Sequence, residues 1–64
     1  MEKLVIIPTF NEKENIGIIL QAIYDLNQDF HVLVIDDGSP DGTAEIVKQL
    51  QPRFNNTVFL VERQ

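Results

Sequence analysis

The sequence predicts an α/β fold, with strands and helices alternating as β-α-β-α-β, the strands parallel and the helices covering the sheet. Three observations carry this. Short apolar runs at residues 3–7, 30–36 and 57–61 have the composition of strands. Between the first two, Ile16, Ile19, Leu20, Ile23 and Tyr24 fall at the i, i+3, i+4, i+7, i+8 spacing of one helix face. The connections are short, so consecutive strands lie side by side through right-handed crossovers, in the order 3-2-1.

The elements follow in order. Leu4-Val5-Ile6-Ile7 forms the first strand, and Pro8 is expected to stop it because proline lacks a ladder donor. Pro8 to Glu12 is then a loop. Asn11, with Glu14 three residues on, resembles a capping box, and a helix is expected from Glu12 to about Asn27. Asn27-Gln28-Asp29 is a polar break. Phe30 to Asp36 is the second strand, apolar enough to be buried on both faces. Gly38 to Thr43 has the makeup of a tight turn entering a helix. Ser39 is expected as the N-cap with Pro40 at the first helical position, and Asp41 is the alternative cap. Ala44, Val47 and Leu50 supply a thinner stripe, and Gln51-Pro52 ends the helix. Asn55-Asn56 is a turn, and Thr57 to Val61 is the third strand.

Composition narrows the function. The chain has 64 residues, a net charge of −5 and no cysteine. A single domain is the upper limit, and a chain this short buries only about 60% of its unfolded surface. Disulfides and thiolate metal sites are excluded. Lys3, Lys13, Lys48, Arg53 and Arg63 are scattered, so there is no basic patch for nucleic acid. No apolar run approaches the roughly 20 residues that span a bilayer, and no secretory signal is present. A cytoplasmic or cytosol-facing location is expected. His31 opens a strand and reads as a surface residue; with no second histidine, a histidine-rich metal site cannot be assembled.

The chemistry concentrates at the carboxyl end of the second strand, where ligands bind in open parallel sheets. Asp36 and Asp37 are adjacent, so they point to opposite faces. One can meet a ligand while the other secures the loop. Two readings stand: a nucleotide site, or carboxylates capping backbone N–H groups in a turn. Ser39, Asp41 and Thr43 read as turn and cap chemistry. The loop is neither a Gly-x-Gly-x-x-Gly fingerprint nor a Walker loop, and Asp41 opposes a phosphate in direct contact there. Pro8 to Glu12 lies beside it if strands 1 and 2 are neighbours. There Phe10 can stack on a base or shield the strand end, and Glu12 can accept from a base edge or favour the first helical turn.

Leu4-Val5-Ile6-Ile7-Pro8-Thr9-Phe10-Asn11-Glu12-Lys13-Glu14-Asn15-Ile16 followed by Val32-Leu33-Val34-Ile35-Asp36-Asp37-Gly38-Ser39-Pro40-Asp41-Gly42-Thr43 resembles the start of a family 2 glycosyltransferase. The Ser-Pro-Asp-Gly-Thr form is most similar to the dolichol-phosphate (polyprenol-phosphate) mannosyltransferase branch. The resemblance covers nearly the whole chain and implies a Rossmann-like half of a GT-A nucleotide-sugar-binding domain. It further implies inverting transfer of a hexose, mannose from GDP-mannose, to a polyprenyl or dolichyl phosphate at the cytosolic membrane face. Carried over by position, Pro8, Phe10, Glu12, Ile35 and Asp37 contact the nucleotide, with Asp36 beside them. Phe10 stands where the family usually has tyrosine, which keeps the ring and loses one hydroxyl.

The family's divalent cation, Mg2+ or Mn2+, is held by an Asp-x-Asp motif beyond the third strand. Neither that motif nor the later catalytic segments occur in these residues. The expectation is therefore one partial domain over 1–64, with no catalytic residue, no metal ligand set and no turnover of its own. Two other readings are open to the sequence. One is a non-catalytic unit that pairs with itself or a partner through the exposed edge of strand 1. The other, much weaker, is a phospho-receiver domain, which lacks the expected aspartate after the third strand.

Overall fold

The second of the three apolar runs becomes the centre of the sheet. The computed structural model describes residues 3–26 and 30–63, so the expected break at Asn27-Gln28-Asp29 lies outside the described residues. Strand β1 (Lys3–Thr9) and strand β3 (Val58–Arg63) flank β2 (Phe30–Asp37), all parallel. The order β1-β2-β3 is the expected 3-2-1. Helix α1 (Ile16–Leu26) connects β1 to β2; helix α2 (Thr43–Leu50) and a 3-10 turn at Gln51–Phe54 connect β2 to β3.

Both crossovers step in the same direction across the sheet, so their common hand puts both helices on one face. The burial pattern agrees. Val32 and Val34 are buried together with Ile16 and Leu20 of α1, Val47 of α2, Phe54 and Val58, while Val5, Ile7 and Leu60 pack against this core. Tyr24 belongs to it too, its ring 5.3 Å from that of Phe54. The alternate strand residues face away from the helices. There Leu4 is 60% exposed, Ile6 57%, Phe59 47% and Val61 45%. Burial of β2 on both faces is thus met on one side only among the described residues.

Several boundaries differ from the sequence reading. Pro8 lies inside β1, paired with Ile35; β1 is an edge strand, and edges tolerate proline. Helix α1 begins later than Glu12, although the Glu12 carbonyl already accepts from Asn15 and Ile16. Asn11 does not act as an N-cap, because its φ of 55° is left-handed and a cap residue needs an extended backbone. Ser39 and Pro40 precede α2 by more than a cap. The residue before Thr43 is Gly42, at φ 93°, a conformation open to glycine and strained for other residues. The polypeptide also continues past Leu50 as a 3-10 turn containing Pro52, which ends in Asn55 and Asn56, both left-handed. Asparagine tolerates that conformation better than most residues.

Candidate functional site

The site is built where β1 and β2 end together. Thr9 and Asp36 are register partners in the parallel ladder, and both side chains turn toward the helices. Asp36 is 2% exposed. A carboxylate buried that far needs partners, and it has three. Thr9 Oγ1 donates to Oδ1 at 2.8 Å, Ser39 Oγ donates to Oδ1 at 2.6 Å, and the Ser39 N–H donates to Oδ2 at 3.0 Å. Burial pushes its pKa up, but the hydrogen bonds from Ser39 and Thr9 outweigh that and hold it below the ordinary 3.8. Asp36 is therefore ionised and fully engaged, closing the turn after β2.

The same turn reaches back to the loop after β1. The N–H of Asn11 donates to Ser39 Oγ at 2.9 Å, that of Glu12 to Thr43 Oγ1 at 3.0 Å, and that of Lys13 to Asp41 Oδ2 at 3.1 Å. Asp41 Oδ1 accepts from the Thr43 N–H at 3.0 Å and from Thr43 Oγ1 at 2.5 Å. One carboxylate thus serves both the loop after β1 and the first residue of α2. The hydrogen bond from the Thr43 side chain is the largest influence on Asp41, and its pKa too lies below 3.8.

Asp37 has the opposite setting. It faces away from the helices, is exposed, and accepts from Arg63 Nε at 2.8 Å. The two are register partners across β2 and β3. Pro8 and Ile35 are also register partners, and strand alternation puts them on the same outer face as Asp37. Phe10 follows β1 with 57% of its surface exposed. Glu12 is half-buried, and its carboxylate has only a long 3.5 Å contact with Asn15 Nδ2, beyond the usual hydrogen-bond range. The six residues expected at a nucleotide site therefore divide. Pro8, Ile35 and Asp37 share the open face at the sheet's carboxyl end, Phe10 and Glu12 stand on the adjoining loop, and Asp36 lies behind.

The residues missed by sequence reasoning are those that join the loops. Thr9 and Arg63 carry no local signal; each matters only through strand register. Ser39, Asp41 and Thr43 carry only a local signal of turn and cap chemistry, and their bonds to Asn11, Glu12 and Lys13 depend on the neighbouring loop. A cavity of about 470 Å³ opens on the other side of the turn, lined by Gly38, Ser39, Gly42, Glu45, Glu62 and Arg63 among others. It does not reach Pro8 to Glu12, and Glu45 and Glu62 on its walls disfavour an anion. The described residues do not fit a resident divalent cation either. Both oxygens of Asp36 and of Asp41 are occupied, and no cluster of three or more His, Cys, Asp or Glu side chains forms among the described residues. No helix among them is long and apolar enough to cross a membrane.

Known proteins are similar to this chain. Polyprenol monophosphomannose synthase of Mycolicibacterium smegmatis is 49% identical over 60 residues, which is 94% of this chain and 23% of that protein. Glycosyltransferase AglE of Haloferax volcanii is 43% identical over 61 residues, 91% of this chain and 20% of AglE. Among solved structures, the mannosyltransferase PcManGT from Pyrobaculum calidifontis, in complex with GDP-Man and Mn2+, superposes with a TM-score of 0.85 at 33% identity, over 98% of this chain and 19% of its own. The chain thus spans about a fifth of the length of each of these relatives. The profile of glycosyl transferase family 2 matches residues 4–64, and with the GT-A arrangement of strands and helices in place, the chain belongs to glycosyl transferase family 2.

Proposed function

We propose that this chain binds the nucleotide of a GDP-mannose-like donor, with Pro8, Phe10, Glu12, Ile35 and Asp37 in contact and Asp36 holding the turn behind them. In this reading it is the amino-terminal part of an inverting glycosyltransferase. That enzyme moves mannose to a polyprenyl or dolichyl phosphate at the cytosolic face of a membrane. The names of the relatives support the donor and acceptor classes. One observation carries the site: three consecutive backbone N–H groups of the β1 loop are bonded to side chains of the β2 loop, while Phe10 and Asp37 stay exposed at the rim. Phe10, Pro8 and Ile35 offer apolar surface to a base, and a base has a face that stacks on an aromatic ring. Asp37 and Glu12 offer carboxylate acceptors to ribose hydroxyls or base N–H groups.

A divalent cation, Mg2+ or Mn2+, would supply charge compensation to the diphosphate in the parent enzyme. We assign its ligands outside the described residues. The 64 residues alone are then a donor-binding segment without turnover. Titration of GDP into the 15N-labelled chain tests this. Amides of Thr9 to Glu12 and Ile35 to Gly38 are expected to shift, with no sugar released from GDP-mannose. Shifts confined to residues far from both loops would sink the assignment.

The edge position of β1 favours a second reading, a unit that associates with itself, and Leu4 and Ile6 are exposed on the open sheet face beside that edge. Sedimentation at several concentrations separates the two; a monomer throughout removes self-association.

A further inference from the structure

We propose that Ser39, Asp41 and Thr43 are positioning residues for the nucleotide loop, a template that fixes the backbone carrying Phe10 and Glu12. This rests on the nucleotide reading above. The argument begins with the hydroxyl protons. Ser39 Oγ gives its proton to Asp36 Oδ1, which leaves its lone pairs for the N–H of Asn11. Thr43 Oγ1 gives its proton to Asp41 Oδ1, which leaves its lone pairs for the N–H of Glu12. Two ionised carboxylates thereby orient two hydroxyls, and both aim at backbone donors of the other loop.

The consequence for Phe10 is direct. Its neighbour Thr9 is bonded to Asp36, and its neighbour Asn11 is bonded to Ser39, which is itself bonded to Asp36. The backbone on both sides of Phe10 is thus tied to one buried carboxylate. Asn11 is held left-handed at φ 55°, a conformation that side-chain-bearing residues adopt only at some cost; the clamp keeps it there. Glu12 is bracketed in the same way, through its own N–H and through the Lys13 N–H on Asp41. The arrangement also consumes three consecutive amides of the loop ahead of α1, those of Asn11, Glu12 and Lys13, so recognition by this loop falls to its side chains.

The test has two readouts on the same samples. The first is amide exchange in the free chain, which needs no nucleotide. The second is affinity for GDP. Ser39→Ala is expected to speed exchange at Asn11, Asp41→Ala at Lys13 and Thr43→Val at Glu12, while the Val32 and Val34 amides in the central strand stay protected. Ser39→Ala and Thr43→Val each lose two hydrogen bonds from the template and Asp41→Ala loses three, so the GDP dissociation constant is expected to rise about three- to tenfold. Thr43→Ser keeps the hydroxyl and is expected to match the parent in both readouts. If Thr43→Val does not fold, the partly exposed Ser39 and Asp41 variants decide alone. Unchanged exchange at all three amides overturns the template. Faster exchange with unchanged GDP affinity overturns its positioning role. A parent chain that takes no GDP overturns the nucleotide reading, and the exchange pattern then still decides whether the clamp exists.

Discussion

The two faces of the sheet are built from the same kind of residue and have opposite fates. On the helix side, Val32, Val34 and Asp36 of β2 are buried in alternation. On the other, Leu33 and Ile35 are half-buried, Asp37 is exposed, and Leu4, Ile6, Phe59 and Val61 around them are open. Apolar content does not distinguish the two; the direction of the crossovers does. Two right-handed connections stepping the same way can cover only one side. The paired aspartates carry this contrast into the site. Asp36 inherits the covered face and becomes a structural anion with three donors, whereas Asp37 inherits the open face, exposed and paired with Arg63.

The contrast is broken most severely from the covered side. Ile16→Ala, at a fully buried position, is expected to cost about 2–5 kcal/mol, enough to unfold a chain this small, whereas Ile6→Thr on the open face is expected to change stability by less than about 0.5 kcal/mol. Chemical denaturation of the two variants side by side checks this. Similar losses would show that the open face is covered in solution.

The next effect belongs to Asp36. Asp36→Ala strands the hydroxyls of Thr9 and Ser39 and is expected to cost about 1–3 kcal/mol. The Asp37–Arg63 pair is exposed on both partners, and such pairs contribute little; Arg63→Ala is expected to leave the unfolding midpoint unchanged. A thermal melt of both variants ranks them, and a larger shift for Arg63→Ala would invert the assignment.

A smaller effect appears with pH. Asp36 and Asp41 both titrate below 3.8 in the fold, whereas the unfolded chain titrates near that ordinary value. The unfolded state therefore binds more protons in this window, so stability rises with pH through it. Their contribution is complete well above 3.8 and is lost as the pH falls through the lowered folded values. Asp36→Asn is expected to flatten the acid side of the stability curve. Unfolding midpoints measured from neutral pH down to pH 2 read this out, and an unaltered slope in the variant would count against the ionised, bonded state of Asp36.

Much of this was legible in the sequence. The strand runs, the α1 stripe and the strand order follow from local composition and short connections. The separation of Asp36 from Asp37 follows from strand alternation alone. Which of the two is buried does not, because that depends on where both helices lie. The expectation that Pro8 stops the strand follows a rule for central strands, and β1 is an edge. The spacing of Asn11 to Glu14 suggests a cap, whereas the neighbouring loop supplies the bond to the Asn11 N–H. Thr9, Arg63 and the donors to Ser39, Asp41 and Thr43 are set by register across the sheet, a quantity that single-strand patterns do not contain.

The most direct test of the central claim is the affinity of Asp37→Ala for GDP, measured together with its unfolding midpoint. A nucleotide wall on the open face predicts that binding weakens at least severalfold while the midpoint stays that of the parent. Parent-like affinity in a folded Asp37→Ala chain would contradict it.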